Sequence, residues 1–434
     1  MAIHRIVVVG GGAGGLELAT QLGDRYGRGT RAHVTLVDRS RTHLWKPLLH
    51  EVAAGSMDIH AHQLDYLAQA RWHKFTFVLG ALAGLERQAK HILVAPVVDD
   101  EGVEILPARR IPYDTLVIAI GSESNDFGTP GVREHAFTID NAWQAHLFHR
   151  RLVNTCFRAN FAADGRVIDI AIVGAGATGV ELAAELHNTI RVLAAYGLQA
   201  FDPARQIRLT ILEAGPRILP GLPEHIVKGA METLESLGVH VLVGDPVVEV
   251  GPAKVKTKGG REVAADFTVW AAGIKCPDVL REIDGLETNR ANQLVVLPTL
   301  QTTRDADVFA IGDCAAVPWR EGKNVPPRAQ SAHQMSSHLV KAVRRRLAGQ
   351  APTDYRYRDF GSLVSLGNYE TVGTLMGFLG GGSGSLRVEG MLAKLFYLSL
   401  YRLHIWALHG FWRMALDTLA RWIRTQTDPK VKLH

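Results

Sequence analysis

Short continuous apolar runs recur along this 434-residue chain, separated by stretches of helical composition. Ile6–Val9 is the first, and a run apolar at every position predicts a parallel strand covered on both faces. Leu16–Leu22 then has helical composition, and His33–Val37 predicts a second strand. The order returns later in the chain as strand Ile168–Val173, helix Val180–Ile190 and strand Ile207–Leu212. Tyr113–Gly121 and Asp266–Gly273 read as buried strands that each end at a glycine, Gly121 and Gly273. Val308–Ile311 reads as a further strand, closed by Gly312 and Asp313. Strands alternating with helices predict an α/β fold class with parallel sheets. The last third reads differently. A helix is expected over Ala329–Leu347, a flexible connector at Gly380–Gly384, and an amphipathic helix over Phe411–Thr425.

The connections carry the chemistry. After the first strand stand Gly10, Gly12 and Gly15, in GxGxxG spacing with Gly14 inside it. Three glycines serve a tight turn, close approach to a pyrophosphate, and close packing of helix on strand. The pyrophosphate then sits on the positive end of the helix. Asp38 ends the second strand, where a carboxylate accepts from ribose hydroxyls. The repeat has Gly174, Gly176 and Gly179, and its strand ends in Glu213. The longer spacing before Glu213 is assigned to an insertion around Ala194–Gln206. These features predict two Rossmann-like dinucleotide-binding domains. A chain with two dinucleotides pairs a diffusing hydride donor with a held redox carrier, most often flavin.

Charge changes the picture at one end only. Lys and Arg number 48 and Asp and Glu 43, a net charge of +5. From Leu386 onward eight basic residues face three acidic ones, so the whole excess lies in the tail. A neutral body argues against a nucleic-acid partner, and a basic tail favours a local anionic one. On a helix over Phe411–Thr425, Phe411, Trp412, Leu416, Leu419, Trp422 and Ile423 share one half, and Arg413, Asp417, Arg421 and Arg424 the other. Such a helix lies in a membrane interface against anionic lipid. The competing readings are a helix docked on the body and a homodimer interface. No apolar run reaches the roughly 18 residues of a spanning helix. No signal-peptide pattern opens the chain, so a cytosolic body is expected. Cys156, Cys276 and Cys314 form no CxxC and read as small packing residues. No HExxH or paired ligand spacing is present, so no metal is expected.

The GDC turn at Gly312–Cys314 resembles that of two-dinucleotide flavoprotein reductases of glutathione-reductase-like fold. The segments HLWKPLLHEVAAGSM (43–57), TGVELAAEL (178–186), PPRAQSAHQM (326–335) and YRLHIWALHG (401–410) resemble bacterial type II NADH dehydrogenases along essentially the whole chain. That resemblance implies a non-proton-pumping NADH:quinone oxidoreductase using FAD, peripheral on the cytoplasmic face of the inner membrane. Gly10, Gly12, Gly14, Gly15 and Asp38 would hold the FAD adenosine diphosphate, Lys46 and Pro47 would line its ring, and Asp313 would bind the ribityl chain. Gly174, Gly176, Gly179 and Glu213 would hold NADH, with Arg217 able to soften the preference against a 2′-phosphate. Gly121 and Gly273 would complete the cofactor sites. Glu181 would lie where nicotinamide meets flavin, and Gln330 and Gln334 at the membrane quinone headgroup. From spacing alone, Glu181 is equally a carboxylate stabilised by a helix dipole. Gln330, His333, Gln334, Ser337 and Lys341 are equally a solvated helix face. The implied domains are 1–125 and 298–350 for FAD, 126–297 for NADH, and 351–434 for membrane association. A soluble ferredoxin-type reductase and a membrane-tethered NADH sensor are the rival functions.

Overall fold

The computed structural model describes residues 3–29, 31–162, 165–196, 202–320, 322–366, 371–376, 385–427 and 431. Its contacts divide the chain into two compact units. The first comprises Met1–Trp45, Gln63–Glu123 and Ile274–Arg358. The second comprises Lys46–His62, Ser124–Gly273 and Asp359–His434.

In the first unit a six-stranded sheet runs Gln301–Thr302, Asp305–Ala310, Thr115–Ile118, His4–Val9, Ala32–Asp38, Thr76–Leu79. All its pairings are parallel except that of the outermost Gln301–Thr302. His4–Val9 is central, and Ile6, Val7, Val8 and Val9 are all buried, as the unbroken apolar run requires. The helix Ala13–Tyr26 follows and packs against the helix Ala329–Leu347. Leu18 and Leu22 on the one and Leu339 on the other are fully buried, and each such side chain contributes about 1.5–3 kcal/mol.

The second unit repeats the plan. Its five-stranded parallel sheet runs Ala136–Thr138, Phe267–Trp270, Ile168–Val173, Ile207–Glu213, His240–Val243. The helix after Ile168–Val173 spans Ala177–Ala195, 19 residues against 14 for its counterpart Ala13–Tyr26. Part of the excess spacing assigned to an insertion is therefore helix, and residues 197–201 of that insertion lie outside the described residues. The short helix Leu49–Ala54 packs against Ala142–Ala162 and Ala177–Ala195. Gly55 ends it with φ +82, and a Cβ there would strike the His149 ring.

The boundaries differ from the expected ones. Residues 274–297 cluster with the first unit, while 46–62 and 359–434 cluster with the second. The physical reason is pairing: Leu294–Val295 pairs with Ala315–Ala316 of the first unit. The tail is also no separate unit, because its antiparallel strands Gly361–Ser365, Thr371–Met376 and Ser385–Glu389 and its helix Gly390–His409 pack within the second unit. The expected connector at 380–384 lies outside the described residues.

Candidate active site

Within the first unit, Gly10 turns the chain at φ +100, and its N–H donates to the Val37 carbonyl at 2.8 Å. A Cβ on Gly15 would collide with the Gly10 carbonyl oxygen. Asp38 accepts the Gly11 N–H at 2.6 Å and the Ser40 N–H at 2.7 Å. Burial nudges the Asp38 carboxyl upward, and those two N–H groups pull it back. The Gly11 carbonyl in turn accepts from the Tyr66 hydroxyl at 2.7 Å and from His43 Nδ1 at 2.9 Å. A carbonyl only accepts, so His43 carries its proton on Nδ1, and burial lowers its pKa to about 4, leaving it neutral.

The helix Ala13–Tyr26 starts at Gly12 with no side-chain cap, and a Cβ on Gly12 would meet open space. Uncapped N–H groups facing open space fit a pyrophosphate. Asp38 keeps acceptor capacity for ribose, since a carboxylate offers about four lone-pair sites. The residues present therefore fit a dinucleotide.

The second unit builds the same cradle. Gly174 has φ +106, Gly176 opens Ala177–Ala195 without a side-chain cap, and a Cβ on Gly179 would strike the Gly174 carbonyl. Glu213 accepts the Ala175 and Gly215 N–H groups, both at 2.7 Å. Here the carbonyl of Ala175 accepts a backbone N–H, that of Leu219 at 2.8 Å. Arg217 is held elsewhere: it pairs with Glu224 at 2.6 Å and donates to the Pro220 and Leu222 carbonyls.

Glu181 sits on Ala177–Ala195, two residues past Gly179, and is 7% exposed. Its Oε1 accepts the Ser365 N–H at 3.0 Å, and its Oε2 lies 3.8 Å from His50 Nδ1. Burial first, and then the charges of Glu51 and Glu185, raise its pKa to about 8 against the pull of the Ser365 N–H. This carboxyl holds a proton at neutral pH, a state suited to a general acid. In the same unit Lys46 Nζ lies 4.0 Å from Asp140, whose carboxylate also accepts from the Ser124 N–H and hydroxyl. Gly273 has φ +61 and closes against Phe127.

The remaining expected residues stand in the first unit. Asp313 follows Gly312 (φ +71), and its carboxylate accepts from the Ser122 hydroxyl at 2.8 Å. Gly121 has φ +71 and open space where a Cβ would stand. Gln330 and Gln334 are half-buried on Ala329–Leu347. Gln334 donates to the Arg358 carbonyl at 2.8 Å and accepts its N–H at 3.0 Å. His333 Nδ1 lies 2.8 Å from Glu17, which is 1% exposed. All three cysteines are buried, and burial pushes the Cys156 and Cys314 thiols up to about 12. Those two are protonated packing groups. Among the described residues no cluster of three or more His, Cys, Asp or Glu is placed for a metal ion.

Sequence reasoning missed His50, Glu17 and the Tyr66–His43 clamp. Glu17 had a signal, since it stands two residues after Gly15 as Glu181 stands after Gly179.

Two dinucleotide cradles, each on its own parallel sheet, define a two-nucleotide oxidoreductase. Residues 4–336 match the pyridine nucleotide-disulphide oxidoreductase family. The chain is 44% identical, over the full length of both chains, to the type II NADH:quinone oxidoreductase of Haemophilus influenzae. It is 30% identical to that of Staphylococcus saprophyticus, over 86% of this chain and 90% of the other. The structure of Plasmodium falciparum NDH2 in complex with NADH shares the fold, with a TM-score of 0.81 over 99% of this chain and all of that one, at 17% identity. The sulfide:quinone oxidoreductase of Aquifex aeolicus gives 0.73 over 99% of this chain and 96% of that one, at 18% identity. The chain belongs to the pyridine nucleotide-disulphide oxidoreductases and, among them, to the type II NADH:quinone oxidoreductases, which are FAD-dependent.

Proposed function

We propose that the chain oxidises NADH and reduces quinone at a membrane surface without pumping protons. The observation that carries this reading is the pair of cradles in a chain alike, end to end, to a type II enzyme. FAD held there would supply the chemistry of hydride acceptance from NADH and of two-electron delivery to quinone. The chain binds, orients and supplies protons. Gly10, Gly12, Gly14, Gly15, Asp38 and Asp313 hold FAD, with Lys46, Pro47 and Gly121 around its ring and ribityl chain. Gly174, Gly176, Gly179, Gly273 and Glu213 hold NADH. Glu213 disfavours a 2′-phosphate, and Arg217, engaged at 220–224, does not offset it. Glu181 gives a proton to the reduced quinone. Gln330 and Gln334 meet the quinone headgroup, Gln334 from an amide fixed by the Arg358 peptide.

The tail supports a lipid partner. The helix Phe411–Thr427 turns its apolar side outward: Phe411, Trp412, Leu416, Leu419 and Ile423 are exposed, Trp412 by 78%. Leu400, Leu403 and Trp406 of Gly390–His409 are exposed as well. Asp417 and Arg421 pair at 2.6 Å, and Arg421 reaches the Tyr401 hydroxyl at 3.2 Å. A helix docked on the body would bury the opposite side. Eight such side chains entering lipid gain on the order of 10 kcal/mol before ordering costs. Among the described residues no helix is long and apolar enough to cross a membrane. The cytoplasmic face, where basic residues meet anionic headgroups, suits this tail.

Purified protein given NADH and a short-chain quinone is expected to turn over. A yellow protein that oxidises NADH only with ferredoxin overturns the reading, and a flavin-free protein favours a sensor. The Leu416→Glu/Leu419→Glu variant should leave anionic vesicles in a sedimentation assay. If wild type instead forms a soluble dimer that ignores vesicles, the exposed face belongs to a second copy.

A further inference from the structure

Each cradle fixes one particular peptide at both ends, and in the first unit buried side chains do the fixing. Gly11 and Ala175 stand at matching positions, each one residue after the turn glycine, Gly10 or Gly174. Each gives its N–H to the acid that ends the second strand, Gly11 to Asp38 at 2.6 Å and Ala175 to Glu213 at 2.7 Å. Each also has its carbonyl held. At Ala175 the Leu219 N–H donates at 2.8 Å. At Gly11 the Tyr66 hydroxyl donates at 2.7 Å and His43 Nδ1 lies at 2.9 Å. We propose that Tyr66 and His43 are positioning residues for the pyrophosphate of FAD, holding the Gly11 carbonyl inward so that the Gly12 N–H faces the phosphate. This role rests on the reading of the cradle as the FAD site and deepens it.

The link is the planarity of the peptide bond. In a trans peptide the carbonyl of one residue and the N–H of the next lie on opposite sides. Tyr66, His43 and Gly11 are all buried, whereas Gly12 is exposed. A carbonyl drawn toward the buried pair therefore turns the Gly12 N–H away from it, to the open side. Gly12 is also where Ala13–Tyr26 begins without a side-chain cap, and N–H groups at such a start are left to a ligand.

Both donors are themselves fixed within the first unit. Thr42–His43 pairs antiparallel with Leu64–Asp65, which brings His43 close to Tyr66. The Tyr66 N–H donates to the Arg41 carbonyl at 3.1 Å, and its ring stacks on Phe77 at 5.1 Å. A Cβ on Gly11 would stand 2.4 Å from the Tyr66 hydroxyl, so the phenol fills the space that a side chain would take. Burial first, and then the Asp38 charge, keep that phenol protonated and donating. With one donor removed, the other still holds the carbonyl. With both removed, a buried carbonyl is left without a side-chain partner and the peptide is free to turn.

The test uses the full-length flavoprotein and reads the phosphates directly. Phosphorus NMR of bound FAD should show its pyrophosphate resonances shifted in Tyr66→Phe and in His43→Leu, and shifted further in the double variant. Equilibrium dialysis should show FAD held about fivefold less tightly in each single variant. In the double variant the loss should be at least about 25-fold, because the two donors share one acceptor. His43→Gln, which keeps an N–H donor, should recover most of the affinity lost in His43→Leu. Pyrophosphate resonances unmoved in both single variants overturn the proposal, even if their thermal midpoints fall. The single variants also decide the matter if the double variant does not fold. Gly15→Ala separates the two readings. If it still binds FAD, the cradle assignment itself fails. If it loses FAD while the resonances of Tyr66→Phe and His43→Leu stay in place, only the positioning role fails.

Discussion

The two nucleotide halves place a glutamate at the same position, two residues after the last motif glycine, and treat it in opposite ways. Glu17 is fixed by hydrogen bonds to the Gln21 amide at 2.9 Å and to His333 at 2.8 Å. His333 is half exposed, and Glu17 raises its pKa, so the two form an ion pair whenever the imidazole is protonated. Glu181 receives one backbone N–H, and its histidine is buried and neutral at ordinary pH. The lesson concerns water. An imidazole open to solvent charges cheaply and locks a carboxylate in place, whereas an enclosed one leaves the proton on the acid. The first half has a structural pin and the second a proton store.

The cradles differ along the same line. Gly11 must be glycine because a Cβ would meet the Tyr66 hydroxyl, and its carbonyl is clamped by Tyr66 and His43. Ala175 carries a Cβ and is held through backbone by Leu219. Two buried side chains hold the turn of one cradle, and a backbone N–H holds that of the other.

The largest expected effect breaks the halves apart. Gly15→Ala drives a Cβ into the Gly10 carbonyl and should abolish flavin retention and all activity. Gly179→Ala meets the same collision at Gly174, but should leave a yellow protein whose KM for NADH rises at least about tenfold, a cost of about 1.4 kcal/mol. Absorbance of the purified variants and NADH titrations check both. Loss of flavin from both variants would show that the cradles do not act separately.

Next in size, Glu181→Gln should slow quinone reduction about 100-fold, in the range for losing a general acid. Glu17→Gln should lower the thermal midpoint and leave the pH profile of turnover in place. Steady-state rates across pH separate the two. Smaller again, Tyr66→Phe removes one buried hydrogen bond worth about 1 kcal/mol. Flavin should dissociate roughly fivefold more readily from that variant in equilibrium dialysis. An unchanged flavin affinity would mean the clamp serves the turn alone.

The two halves are legible in the amino-acid sequence because their signals are local. Glycine spacing, unbroken apolar runs and the terminal acids are short-range, and their elements appear where expected, including Ala329–Leu347 at both ends. The amphipathic pattern of the tail likewise marks a helix that begins at Phe411. What sequence does not carry is pairing across distance. Nothing local ties His50 to Glu181, Tyr66 to Gly11, or Gln334 to the Arg358 peptide. The contact units are carried by such pairing too, since Leu294–Val295 against Ala315–Ala316 draws residues near 294 into the first unit.

The smallest expected effect sharpens the contrast between the two histidines. The hydrogen bond to Glu17, above all, holds His333 above its ordinary value of 6.5. In that window the folded state binds more proton than the unfolded one. The stabilisation is therefore full below about pH 6.5 and is lost as pH rises through the raised folded value. His333→Gln should thus lower the thermal midpoint in mild acid and change it little in alkali. Because the imidazole is half exposed, solvent screening keeps the difference to about 1 kcal/mol or less, a few degrees at most for units of this size. Thermal unfolding of both proteins across pH measures it. A deficit of equal size at every pH would assign His333 a packing role and remove the charged pin from the first half.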